Sequence, residues 1–217
     1  MKKTIAIVAL VVLVAVASVL GTLAYLTSTD TVKNTFTVGK VNITLDEAEV
    51  DMNGVAVTPA KRVKKNEYKL MPGHEYTKDP TVTVLKGSEE SYVRMLVTVT
   101  FEKPLTDAQL SMNLDSIFTG YSAKWVRAGK EINTAKTVIT YEYRYDATVS
   151  ADETDNKLEA LFTGIKIPDN WENDDLAAIG GFEIEIVAQA VQADGFDDAD
   201  AAFAAGFPTP SPAPVEP

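Results

Sequence analysis

The sequence has no cysteine and a single histidine, His74. No disulfide framework is possible, so stability has to come from burial. A zinc enzyme usually takes two or three His or Cys ligands, and this chain cannot supply them. His74-Glu75 opens like the metalloprotease motif HExxH, but Lys78 stands where the second histidine belongs. A Ser-His-Asp triad would depend on His74, which follows Pro72-Gly73, and no Gly-x-Ser-x-Gly elbow is present. An exposed turn histidine is the better reading. Neither a P-loop nor a dinucleotide fingerprint occurs. The chain has only two tryptophans, Trp125 and Trp171, and no cluster of aromatics beside acids that would suggest a sugar platform.

Positive charge is scarce as well. The chain carries 20 basic against 31 acidic residues, a net charge of −11. Such a surface repels phosphates, which argues against nucleic acid and anionic lipid as partners. The acidic stretches Asp152 to Asp155, Asn173 to Asp175 and Asp197 to Asp200 lack the EF-hand pattern. Solvated acidic loops explain them better than calcium sites. No metal or cofactor is expected.

What the chain does have is a basic, then apolar, beginning. Lys2-Lys3 is followed by an uncharged run from Thr4 to Thr29. Ile5 to Leu20 matches the upper end of a signal-peptide core and is short for a membrane span. Small residues at Thr22 and Ala24 suit a signal-peptidase pocket and place the cut between Ala24 and Tyr25. The alternative is an uncleaved anchor with Lys2 and Lys3 held inside. Without those lysines, 18 basic residues face 31 acidic ones, a charge of −13. An exported protein works without ATP, NAD or a reducing cytosol, which removes most enzyme classes.

Period-two alternation dominates the rest. Val41, Ile43 and Leu45 form one such set, and Val82 with Val84 another. Val93, Met95, Val97, Val99 and Phe101 alternate with polar residues, as do Ile139, Tyr141, Tyr143 and Tyr145. Phe182, Ile184 and Ile186 alternate with Glu183 and Glu185 and continue into Ala188 and Ala190. This pattern predicts antiparallel strands with one buried face, packed as a sandwich or barrel. The tyrosine stripe fits a core ladder better than a ligand platform. Turns are expected at Asn53-Gly54, Pro72-Gly73 and Lys86-Gly87-Ser88. Helical spacing predicts short helices at Thr106 to Phe118 and Asp155 to Phe162, in crossovers between strands. One or two helical turns are expected over Asp197 to Ala205. Proline at 208, 210, 212, 214 and 217 makes the tail, residues 207–217, a disordered end or a wall-spanning spacer.

Several of these segments resemble the TasA/camelysin family of exported Gram-positive proteins. Gly21-Thr22-Leu23-Ala24-Tyr25-Leu26-Thr27-Ser28-Thr29-Asp30 with Asn34 to Val41 is similar to the family's leader and first strand. Leu70 to Pro80 resembles its Pro-Gly turn and following strand. Lys86-Gly87-Ser88 with Ser91 to Arg94 resembles the next turn and strand, and Phe182 to Gln192 its last core strand.

The resemblance implies an all-β protein, an antiparallel jelly-roll β-sandwich with short helices in its crossovers. It divides the chain into a signal peptide (1–24), a donor-strand segment (25–38), the jelly-roll domain (39–206) and the proline-rich tail (207–217). It implies processing by a signal peptidase of the SipW type. It places the protein outside the cell, in the biofilm matrix or on the cell surface, with membrane contact through the leader alone. Its expected partners are other copies of itself in fibres and a co-polymerising matrix or anchor protein. In the family a subunit's N-terminal segment can complete a neighbour's sheet; here Leu26, Val32, Phe36 and Val38 would be the apolar anchors. Enzyme activity is not expected. The alternatives are a secreted camelysin-like metalloprotease, for which the ligands are missing, and a membrane-tethered surface adhesin.

Overall fold

The structure, a computed structural model, describes residues 39–208 except 112–113, 170–173, 175–176 and 178–179. The leader, the cut at Ala24 and Tyr25, and the expected anchors Leu26, Val32, Phe36 and Val38 lie outside the described residues. So does the tail from residue 209 onward.

The described chain is built from antiparallel β-sheets, as the alternation predicts. The longest strand, β5 (Ser88–Phe101), organises the largest sheet. Along one edge it pairs with β12 (Phe182–Gln192), from Phe182 opposite Phe101 to Gln192 opposite Ser91, with no register shift. Along the other it pairs with β8 (Val138–Tyr145) and then β9 (Val149–Ala151). Beyond β8 lies β7 (Trp125–Ile132), giving the order β12-β5-β8-β7. Side-chain period fixes what each face does. Ile186, Val97 and Tyr141 form one inward cross-strand row, and Ala188, Met95 and Tyr143 the next. Tyr141 and Tyr143 are buried, so the tyrosine stripe belongs to the core.

Two smaller sheets supply the rest of that core. One has the order β10-β4-β1-β2, from β1 (Ile43–Ala48), β2 (Arg62–Val63), β4 (Thr81–Val84) and β10 (Asn156–Lys157). The other has β11 (Gly164–Lys166) between β3 (Glu75–Thr77) and β6 (Phe118–Thr119). Val82, Val84, Leu161, Phe162 and Ile167 are fully buried against the inward residues of β5.

The expected turns are present. Gly54 shows why glycine is required: its φ is +76°, and a Cβ there would lie 2.6 Å from the Tyr76 Cα. The expectation of one helix over Thr106 to Phe118 needs correction. The segment divides into α1 (Asp107–Ser111), a 3-10 turn (Leu114–Ile117) and β6. Thr106 caps α1: its Oγ1 accepts from Gln109 N–H, while Gln109 Oε1 accepts from Thr106 N–H. The helix expected at Asp155 to Phe162 does not form. Its first residues make β10, and the N–H groups of Leu158 and Leu161 donate to Val82 O and Pro80 O. Backbone donors captured by a neighbouring segment cannot close a helical turn. The helix near the end does form, as α2 (Ala199–Gly206), with Asp198 Oδ1 accepting from Ala201 N–H.

Candidate functional site

β12 is an edge strand. Among the described residues it shares a ladder with β5 and with no other strand. Beside it lies a groove of about 1160 Å³. One lip is β12, the other is β1 with residues 63–70, and Tyr76 and Ile165 line it further.

The chemistry of the lips follows from side-chain period. Phe182, Ile184, Ile186 and Ala188 point from β12 to the core side, and Ile43 and Leu45 do so from β1. Their partners on β5 are sealed: Met95 and Val97 have no exposed surface. The groove residues themselves remain half-buried. Apolar residues left half-wet along a regular strand edge retain a gain of about 25 cal/mol per Å² if something covers them. The unpaired N–H and C=O groups of an edge strand are a template for one more strand. The solvent side of β12 carries Glu183 and Glu185 and leaves Val187 exposed.

At the β1 lip the apolar lining gives way to a buried polar network. Glu47 and Lys78 are 8% and 6% exposed, and Lys78 Nζ lies 2.5 Å from Glu47 Oε2. The other carboxylate oxygen, Oε1, accepts from Asn66 Nδ2 at 2.9 Å. Asn66 Nδ2 also donates to Ala48 O, and Asn66 Oδ1 accepts from Val50 N–H at 3.1 Å. Next to it Arg62 joins Asp46 and Asp79, and Asp79 Oδ1 accepts from Ala48 N–H. The Tyr68 ring borders the network, 5.6 Å from the Tyr76 ring in an edge-on contact. Burial, and then the negative charge of Glu47, push the Tyr68 phenol far above its usual value. This network was missed at the sequence level, although a signal existed. Glu47 continues the inward parity of Ile43 and Leu45, and Lys78 that of Tyr76.

The other candidate residues fall elsewhere. His74 Nε2 donates to Asn53 O at 2.7 Å, and its ring packs edge-on against Tyr76. Among the described residues no group of three or more His, Cys, Asp or Glu side chains is placed to hold a metal. Two of the acidic stretches have structural work: Asp155 Oδ1 accepts from Lys86 N–H, and Asp200 pairs with Arg144 at 2.7 Å. That pairing holds α2 on the solvent face of the large sheet, with the Phe203 ring 4.4 Å from the Arg94 guanidinium carbon. Among the described residues no helix is long and apolar enough to cross a membrane. No family model, no curated protein and no solved structure matches the chain.

Proposed function

We propose that this is an exported structural protein that assembles into extracellular fibres, each subunit inserting residues 25–38 along the β12 edge of the next. On this reading the domain is a jelly-roll sandwich whose open seam is the acceptor. The observation that carries the proposal is the β12 edge: eleven residues long, regular in register, and bordered by a half-covered apolar groove.

The sequence of the proposed donor matches that edge in three respects. Its anchors Leu26, Val32, Phe36 and Val38 all fall on even positions, so one face of an extended donor would carry them all, together with Ser28, Asp30 and Asn34. Thr27, Thr29, Thr31, Thr35 and Thr37 would occupy the other face with Lys33, which suits a solvated, β-prone exterior. Lys33 then stands on the side where β12 presents Glu183 and Glu185. Main-chain hydrogen bonds would supply affinity and the alternate side chains register. Cleavage after Ala24 would release the donor, coupling export to assembly.

The test is electron microscopy and sedimentation of the mature protein beginning at Tyr25, beside a form beginning at Gly39. The first should form filaments and the second should stay monomeric, recovering assembly in neither salt nor time. Filaments formed equally by both proteins would refute the donor role of 25–38. A strictly monomeric mature protein would refute fibre assembly by this chain.

A further inference from the structure

We propose that Lys78 and Asn66 become joined by an amide bond that the folded chain makes for itself, with Glu47 carrying the protons. The inference is independent of fibre assembly and rests on what a single buried carboxylate holds together. One oxygen of Glu47 binds the lysine Nζ at 2.5 Å, and the other binds the asparagine Nδ2 at 2.9 Å. An amine and a carboxamide are thus both bound to one carboxylate, a group able to take a proton from one and give it to the other. Holding reactants in place in this way replaces a slow bimolecular encounter.

The surroundings suit the reaction. Lys78 and Glu47 are both more than nine-tenths buried and Asn66 is half-buried, which limits the water that competes with the amine. The Val50 N–H donates to Asn66 Oδ1 at 3.1 Å, where negative charge develops when the carbonyl is attacked. The Ala48 carbonyl and Glu47 together fix the orientation of Nδ2, the atom that must leave. The Tyr68 ring closes one side, 6.0 Å from Nζ.

The step balances without oxidant, metal or cofactor. The Lys78 ammonium passes one proton to the Glu47 carboxylate. The free Nζ lone pair then forms a bond to Asn66 Cγ, and the carbonyl electrons move onto Oδ1. Glu47 returns its proton to Nδ2 and accepts the second proton from Nζ. The C=O bond re-forms, the Cγ–Nδ2 bond breaks, and ammonia departs. The last proton stays on Glu47 or leaves with the ammonia as ammonium.

The bond would close residues 66–78 into a ring. That segment carries Tyr68, Leu70 and Tyr76, all of which line the groove. A chain without cysteine would so gain a covalent staple that no reductant opens.

Mass spectrometry of the purified protein, reckoned from its observed N-terminus, tests this. The expected mass is one ammonia below that of the sequence. Trypsin should fail to cut after Lys78, and the peptide starting at Asn66 should appear as a branch on the peptide containing Lys78. Glu47→Gln and Lys78→Met should restore the full mass, and Asn66→Asp should lose one water in place of ammonia. A wild-type protein of full sequence mass overturns the proposal, whatever the variants do. So does an ammonia loss that persists in Lys78→Met, because that marks a succinimide at Asn66.

Discussion

The two edges of the large sheet, β12 and β7, are built differently. β12 runs through eleven consecutive pairs with β5 without a shift. β7 breaks its register with β8 between Arg127 and Gly129, where Ala128 is the extra residue. From Phe182 to Ala188 on β12 every second side chain is apolar and half-buried, facing a groove. Along β7 nearly every side chain is exposed, with Arg127, Lys130 and Glu131 among them. Trp125 is the exception: it is buried at the root of the strand, where its indole N–H donates to Glu159 O. A bulge and outward charges are the usual means of blocking edge-to-edge pairing. Among the described residues, one sheet therefore has a protected edge and an edge that remains a template. Polar character alone does not separate them, because β12 carries Glu183 and Glu185. The separation lies in regular register combined with an apolar strip beside it.

A matched pair of substitutions should break the comparison most visibly. Ile184→Lys places a charge in the strip that an incoming strand must cover. Burying such a charge without a partner costs several kcal/mol, so filament formation should weaken by roughly 100-fold or more. Val126→Lys on β7, at a position already 56% exposed, should leave assembly unchanged. Filament yield at fixed concentration reads both, and urea midpoints check that both domains fold. Equal loss in the two variants would show that β12 is not the privileged edge.

The next effect is on stability. α2 covers the solvent face near the far end of β12, where Gly206 lies against Val191, and Phe182 to Ala188 line the groove among the described residues. Phe203 is buried between the Arg94 and Arg144 guanidiniums. Phe203→Ala should lower unfolding stability by about 3 kcal/mol, seen as a lower urea midpoint. Assembly should persist, because the open half of the edge is untouched. A smaller effect is expected on the protected side. Deleting Ala128 removes the extra residue and makes β7 regular. Light scattering should then report modest side-by-side association that the parent protein does not show.

The sequence exposed faces better than neighbours. Alternation located β5, β8 and β12 because each has one buried and one solvated side. It could not say that β12 ends a sheet, since period two reports the face of a side chain and not the strand next to it. β7 was invisible for the opposite reason: with almost every position exposed, it has no alternation to detect. At Asp155 to Phe162, Leu158, Leu161 and Phe162 have helical spacing, yet they are buried from an irregular path that β4 holds by its carbonyls. The Glu47–Lys78–Asn66 network was half legible, through two charged residues of inward parity. Asn66 was not, because its place depends on a loop returning over β1.

The smallest effect separates the two edges by pH. Tyr68 on the β12 groove and Tyr145 beside β7 both ionise later than a free phenol, each chiefly because of burial. A neutral acid whose folded value is raised stabilises the fold below its unfolded value. That contribution is lost as pH rises from the unfolded value, about 10 for tyrosine, through the folded one. Stability should therefore decline at alkaline pH, and Tyr68→Phe should flatten the decline more than Tyr145→Phe. A strand laid into the groove removes still more water from Tyr68 and none from Tyr145. Ultraviolet titration of tyrosinate in filaments and in the form beginning at Gly39 should thus show Tyr68 ionising later in the filaments, with Tyr145 unmoved. Identical Tyr68 titrations in the two states would place the contact between subunits away from the groove, and the contrast between the two edges would then concern folding instead of assembly.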